Sequence, residues 1–182
     1  MSTMTQETNA RNAADDDIPI PYMQRTRDYY LALGYSNPYR WAHYVDVPFT
    51  PLATPLDRAR VALITTAAPF QPEVGDQGPR APYNARAKFY RVYSVASDRV
   101  PDLRISHVGY DRRHTSAEDI NTYFPLARLQ EAVAAGRIGS LTGRVHGAPT
   151  NRSHRVTLET DAPELMQRCQ EDRADAVVLA PS

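Results

Sequence analysis

The sequence contains few of the residues that mark redox, metal or membrane proteins. Among its 182 residues Cys169 is the only cysteine, which excludes an internal disulfide and a Cys-x-x-Cys site within this chain. It contains no apolar run long enough to cross a bilayer. The first residues are polar and lack the basic and then apolar order of a signal peptide. We therefore expect a cytoplasmic protein.

Neither sign of charge is in excess. The chain carries 21 basic and 21 acidic residues, and this balance argues against a nucleic-acid-binding surface. Lys88 is the only lysine; arginine suits bidentate contacts with carboxylates, although genomic base composition explains the same bias. The fractions of hydrophobic and charged residues, 42% and 23%, are those of an ordinary globular protein.

The distribution of apolar residues predicts three regions: a disordered tail (1–18), a helix followed by an arm rich in proline and aromatics (19–58), and an α/β domain (59–182). The helix is predicted over 22–33, with Gly34 as its terminator. Trp41, Tyr44 and Phe49 are expected to pin the arm to the core.

Short apolar, β-branched runs separated by helical segments predict a mostly parallel sheet with flanking helices, of Rossmann-like or flavodoxin-like type. Because no helix follows the last predicted strand, we expect this domain to be completed by a missing or second chain. The predicted strands are 61–66, 89–95, 103–107 and 174–180. One helix is predicted over 125–135, with Pro125 in its first turn and Gly136 as its stop. A second helix is predicted over 163–172, capped by Thr160 or Asp161. The segment 139–153 is predicted to be a loop.

Ligands bind outside the carboxyl ends of parallel strands, and this rule gathers 65–67, 107–111 and 181–182 onto one edge. Thr65 and Thr66 are candidates to hydrogen-bond a substrate carboxylate or carbonyl there. The long loop that follows them is a candidate lid, and its arginine suits an anionic substrate. The candidate substrate-binding residues beyond the two threonines are Tyr83, Asn84, Arg86 and Tyr110, with Asp76 in the same lid.

His107 is the candidate general acid or base, because the pKa of an imidazole is readily tuned near neutrality. The alternative is a buried histidine bonded to the backbone. Asp111 and His114 extend it to a His-x3-Asp-x2-His pattern, but Asp111 is better interpreted as a loop-fixing acceptor, and we expect no metal. His146 and His154 are expected on the surface, and Cys169 is expected to be an inert thiol.

Several segments resemble one known family. Val61-Ala-Leu-Ile-Thr-Thr-Ala67, Ile105-Ser-His-Val-Gly-Tyr-Asp111, Asp119-Ile-Asn-Thr-Tyr-Phe-Pro-Leu126 and Ala174-Asp-Ala-Val-Val-Leu-Ala-Pro181 are similar to the glycine/sarcosine/betaine reductase and D-proline reductase B-subunit (selenoprotein B-like) family. The resemblance runs from about Tyr22 onwards. It implies reductive cleavage of a carbon–heteroatom bond in a small amino acid or betaine, with attack by a thiol or selenol.

In short relatives a Cys-x-x-Cys-His segment follows the last strand, so the resemblance implies that this segment is supplied by a following or second chain. A truncated sequence, a split gene and cleavage of a precursor after Ser182 all stay open. If the precursor is cleaved there, Ser182 is a candidate catalytic residue. The candidate cofactors are then a pyruvoyl group or redox-active thiols on a partner chain. The alternatives are a non-catalytic binding or scaffold subunit of a heteromer, and a hydrolase or lyase that uses His107 and Asp111.

Overall fold

The computed structural model describes residues 18–37, 40–74, 81–115, 117–150 and 153–182. The chain divides into two compact units. The first contains the described residues up to His43 together with Arg113–Thr115, and the second contains the remaining ones. The tail predicted for 1–18 lies outside the described residues except for Ile18, and so does Asp76 of the predicted lid.

The first unit contains helix α1 (Tyr22–Ala32), as predicted, and none of its residues is buried. Gly34 follows it with φ +87°, a left-handed conformation that glycine adopts without steric cost. The Arg27 guanidinium lies 5.3 Å from the centroid of the Trp41 ring, within the range of a cation–π contact. Among the described residues no helix is long and apolar enough to cross a membrane.

The described residues of the proline-rich arm, 35–37 and 40–58, contain no helix or strand. The expectation that Tyr44 and Phe49 pin it to the core is wrong, since 58% and 88% of these residues are exposed. The arm is held near its end, where the Thr54 hydroxyl donates a hydrogen bond to the Asp175 carboxylate at 3.3 Å. Because proline removes backbone donors, the arm does not form the backbone hydrogen bonds of a strand, which would hold its aromatic residues against the core.

The second unit is built on strand β1 (Arg60–Thr65), whose last five residues are buried. β7 (Ala176–Ala180) pairs with it in parallel along five residues. On the other edge β1 pairs in parallel with β5 (Ser140–Leu141) and then with β6 (Arg144–Gly147). β3 (Tyr93–Ala96) pairs with β6 in antiparallel. The predicted α/β class with a mostly parallel sheet is confirmed.

The prediction of a main-sheet strand over 103–107 is wrong. β4 (Leu103–Arg104) pairs in antiparallel with β2 (Ala68–Pro69) in a separate two-stranded sheet. The Arg104 side chain explains why: it is 1% exposed and lies 4.6 Å from the centroid of the Phe70 ring, so this face is occupied by a local cation–π contact. A short run of alternating residues fits either sheet, and the sequence did not distinguish them.

The loop predicted over 139–153 is also wrong, because β5 and β6 lie within it. Two of its glycines, Gly139 and Gly147, allow close packing. A Cβ on Gly139 would stand 2.4 Å from the Arg58 carbonyl carbon, and a Cβ on Gly147 would stand 1.8 Å from Cε1 of Tyr93. Glycine in a strand marks such a close approach of a neighbour as often as it marks a turn.

Helix α2 (Leu126–Ala134) follows a 3-10 turn (Ile120–Thr122) and has Pro125 as its N-cap residue. Gly136, at φ +66°, ends it as predicted. The last helical region is longer than predicted, since α3 (His154–Val156), a π-helical segment (Thr157–Asp161) and α4 (Ala162–Glu171) are continuous.

Asp161 is the residue before α4, as predicted, but it has helical backbone angles and its side chain makes no capping hydrogen bond; Thr160 lies inside the π-helical segment. The cap is Ser153, whose hydroxyl accepts a hydrogen bond from the Val156 N–H at 3.3 Å. The π-helical turn accommodates Pro163, which lacks the donor that an α-helix needs at this point.

The side chains of β1 point alternately to the two faces of the sheet and pack into a hydrophobic core on each face. Leu63 packs with Phe124, Leu126 and Val145 in the larger core. Ala62 and Ile64 pack with Cys169 of α4, joined by Leu165. α4 thus covers one face of the sheet and α2 contributes to the other.

Gly147→Ala should lower the free energy of unfolding by about 1–3 kcal/mol, because the new methyl group overlaps the Tyr93 ring. Gly143→Ala is the matched control, since a Cβ there meets nothing within 4 Å. Urea unfolding of both variants measures the difference. Equal stability of the two variants would contradict the close approach of Gly147 and Tyr93.

Candidate functional site at the carboxyl edge of the sheet

Thr66 and Ser182 meet at the carboxyl ends of β1 and β7. The Ser182 N–H donates to Thr66 Oγ1 at 2.7 Å, the Thr66 hydroxyl lies 3.2 Å from the Ser182 carbonyl oxygen, and the two hydroxyls are 3.1 Å apart. The parallel register of β1 and β7, which pairs Thr65 with Ala180, causes this contact. The predicted meeting of these two segments is confirmed.

Thr65 fixes the same strand end from the inside. It is fully buried, its hydroxyl donates to the Tyr123 carbonyl at 2.6 Å, and its Oγ1 accepts from the Ala67 N–H at 3.1 Å. Both capacities of the hydroxyl are therefore used within the fold. Thr66, which is only partly buried, is the better placed of the two threonines to meet a ligand.

Tyr93 holds this edge together from β3. Its hydroxyl donates to the Ala67 carbonyl at 2.6 Å, and its ring covers Gly147 at the end of β6. Burial raises the pKa of Tyr93, so the phenol stays protonated and remains a donor. Three strand ends are thereby fixed by one side chain that sequence reasoning did not select.

Tyr83 and Asn84 of the predicted lid lie beside Ile105. Tyr83 forms a parallel bridge with Ile105, and the Asn84 N–H donates to the Ile105 carbonyl at 2.9 Å. The buried Asn84 amide donates to the Val74 carbonyl at 2.9 Å and accepts from the Arg86 N–H at 3.0 Å. This segment is thus fixed by backbone contacts, and the exposed Arg86 extends from it.

His107, Tyr110 and Asp111 follow directly after Ile105. Burial lowers the pKa of His107, so its imidazole is neutral at physiological pH and can accept or donate a proton. Asp111 is 7% exposed. The buried Tyr110 hydroxyl has no hydrogen-bond partner among the described residues. Among all the residues that the structure describes, no group of three His, Cys, Asp or Glu side chains could hold a metal ion.

The predicted site residues therefore form two groups. Thr65, Thr66 and Ser182 meet at the ends of β1 and β7, whereas the rest lie on two loop segments that join at Ile105. Both groups rest against the same core, to which Ala67 and Ile105 belong. The other group comprises Tyr83, Asn84, Arg86, His107, Tyr110 and Asp111.

A network of ionisable groups on the opposite face was missed. His146 is fully buried, so the expectation of a surface position is wrong; it lies on β6, between β1 and β3. Its Nδ1 lies 2.8 Å from the Ser94 hydroxyl and its Nε2 lies 3.1 Å from Asp172 Oδ2. The latter pair is close but not aligned as a hydrogen bond. The sequence signal was the alternation Arg144-Val-His146 of a strand.

Two arginines complete this network. The Arg144 guanidinium donates to Asp172 at 3.0 Å and to Glu171 at 3.2 Å, and these contacts raise the pKa of Arg144. Arg168 Nη1 donates to the Ser94 hydroxyl at 2.6 Å. Burial lowers the pKa of His146; Asp172 opposes the shift, while both arginines add to it.

Cys169 lies next to this network on α4. It is 6% exposed, and burial, followed by the charge of Asp172, raises the pKa of its thiol. A thiol that stays protonated is a poor nucleophile, which agrees with the inert role expected for it.

The free energy of unfolding should depend on pH through His146 and His107. Because burial lowers both folded-state pKa values, the unfolded chain binds more protons below its ordinary histidine pKa of about 6.5. Stability should therefore be complete above that pH and fall as the pH drops towards the lowered values. His146→Gln should flatten this slope in urea unfolding between those pH values. His154→Gln, at an exposed helix position, should retain it, and an unchanged slope in both variants would contradict the assignment.

Comparison with known proteins connects this architecture to one family. The family of glycine/sarcosine/betaine reductase selenoprotein B matches residues 34–182, which include every strand and every candidate site residue. No curated protein and no solved structure matches the chain. The family consists of subunits of a reductase complex. The chain belongs to the glycine/sarcosine/betaine reductase selenoprotein B family.

Proposed function

We propose that the chain is the subunit of a reductase-type complex that binds a small amino acid or betaine-type substrate at the carboxyl edge of its sheet. The contact between Thr66 and Ser182 carries this proposal, because it holds two partly buried hydroxyls side by side where ligands of parallel sheets bind. Hydroxyls at this position can exchange their mutual hydrogen bond for bonds to a carboxylate.

The electrostatics of the neighbouring loops support an anionic substrate group. Arg86 is exposed on the lid segment, and a guanidinium forms bidentate contacts with a carboxylate. His107 is kept neutral by burial, so we assign it the transfer of a proton to or from the substrate. Tyr110 and Asp111 are close to His107 in the sequence, and Asp111 is buried. We propose that they complete this part of the site.

The thiols that perform reductive cleavage are proposed to come from another segment or a partner chain. The argument rests on Cys169, whose buried thiol has a raised pKa and packs with Ala62 and Ile64 in the smaller core. A reactive thiol needs an electropositive and accessible position that favours the thiolate. A partner also agrees with the exposure of Val177 and Leu179, 46% and 60%, on the edge strand β7.

Turnover in a reconstituted complex tests the proposal. The full chain is combined with a partner that carries a Cys-x-x-Cys-His segment, dithiothreitol and glycine, betaine or D-proline, and substrate loss is followed by mass spectrometry. Thr66→Val should lower kcat/KM by about 10-fold or more, the usual loss for one hydrogen bond to a charged group. Thr50→Val, on the exposed arm, should have no effect.

The alternatives predict different results. Substrate binding without turnover in any complex would indicate a non-catalytic binding or scaffold subunit. Turnover by the isolated chain without a thiol would contradict the proposal and favour a hydrolase or lyase, which His107→Ala should then inactivate.

A further inference from the structure

Ser94, His146 and Asp172 lie in series on the face of the sheet that α4 covers. The Ser94 hydroxyl lies 2.8 Å from His146 Nδ1, and His146 Nε2 lies 3.1 Å from Asp172. These three residues belong to β3, to β6 and to the end of α4. None of them takes part in the edge site described above, so the proposed function leaves this series unused.

Arg168 occupies one lone pair of the Ser94 hydroxyl beside His146. Its Nη1 donates to Ser94 Oγ at 2.6 Å, and a guanidinium can only donate. The Ser94 hydrogen is available for His146 Nδ1, which accepts it in the tautomer that carries the imidazole hydrogen on Nε2. In that tautomer the imidazole hydrogen faces Asp172. This is the order of roles in a Ser-His-Asp triad, which is recognised by geometry rather than by position in the sequence.

A cleft of about 430 Å³ lies beside this series. Arg168 lines the cleft and contacts Ser94, so it connects the two. Phe89 and Tyr90 supply aromatic walls, and Val92, two residues before Ser94 on the same chain segment, lines the cleft as well. Ser94 is partly exposed on the edge strand β3.

We propose that Ser94 is the nucleophile of a second site, separate from the reductase-type site, that hydrolyses small acyl esters. His146 is its general base, Asp172 orients the imidazole, and Arg168 stabilises the negative oxygen that forms on the attacked carbonyl. The cleft accepts a short acyl group against its aromatic walls.

The reaction balances without a further co-reactant except water. Ser94 Oγ bonds to the carbonyl carbon while its proton moves to His146 Nδ1, and the π electrons of the carbonyl move to its oxygen. Collapse expels the alcohol oxygen, which takes the proton from Nδ1 and leaves an acyl-serine. Water then attacks, gives its proton to Nδ1, and Ser94 leaves as the hydroxyl with that proton.

The charges of the network agree with these roles. Arg144 pairs with Asp172 and Glu171, and Arg168 pairs with Glu164. Asp172, which Arg144 holds in place, is positioned to stabilise a transient imidazolium on His146. The lowered pKa of His146 keeps Nδ1 unprotonated at neutral pH, which a general base requires.

Acetylation by p-nitrophenyl acetate tests the proposal with the full chain. A burst of p-nitrophenolate should accompany the gain of one acetyl group, and peptide mass spectrometry should map that group to Ser94. Ser94→Ala should abolish the burst. Ser97→Ala is the matched control, because the Ser97 hydroxyl also lies next to β3 but donates to the Thr142 carbonyl at 2.7 Å; it should retain the burst.

Two measurements keep the result independent of folding defects in variants. The wild-type acetylation rate should decrease as the pH drops and Nδ1 becomes protonated, and folded His146→Gln should react about 10²-fold more slowly, the usual effect of losing a general base. Acetyl groups found on Lys88 or the amino terminus but not on Ser94, or a rate at Ser94 that ignores both pH and His146, would overturn the proposal.

Discussion

The hydrogen bonds on both edges of β1 constrain everything else in the second unit. β1 is paired along its length with β7 on one side and with β5 and β6 on the other, and its faces are buried by two cores. A strand paired on both edges and covered on both faces must be apolar throughout, as Val61-Ala-Leu-Ile64 is. The carboxyl end of β1 is therefore held in place, and this restricts the movement of Thr65, Thr66 and Ala67.

Close packing transmits this rigidity to the neighbouring strands. Tyr93 reaches Ala67 with its hydroxyl and lies against Gly147 with its ring, which requires that Gly147 have no side chain. Gly139 is packed in the same way, because it lies against the backbone of Arg58 and leaves no room for a side chain. Gly139 and Gly147 therefore permit a close approach of neighbouring chain segments, although the glycine pattern of 139–153 resembles that of a loop.

The two faces of the sheet differ in their chemistry. On one face, aromatic and aliphatic side chains surround Leu63. On the other, α4 places Arg168 and the following Asp172 against Ser94 and His146. Alternation along β6 sends Val145 to the first face and His146 to the second, so one strand supplies both an apolar core and a buried network of ionisable groups.

The local sequence pattern is enough to predict the strands β1 and β7, the helix α1, the stops at Gly34 and Gly136, and the α/β class, because continuous apolar runs and left-handed glycines act locally. It also determined that Thr66 and Ser182 lie at one edge, since parallel strands end together. The folded chain, in contrast, was needed to show that 139–153 contains strands, that Leu103–Arg104 joins a separate sheet, and that His146 is buried between Ser94 and Asp172. These outcomes depend on contacts between residues distant in sequence, which the local pattern of glycine, proline and histidine does not encode.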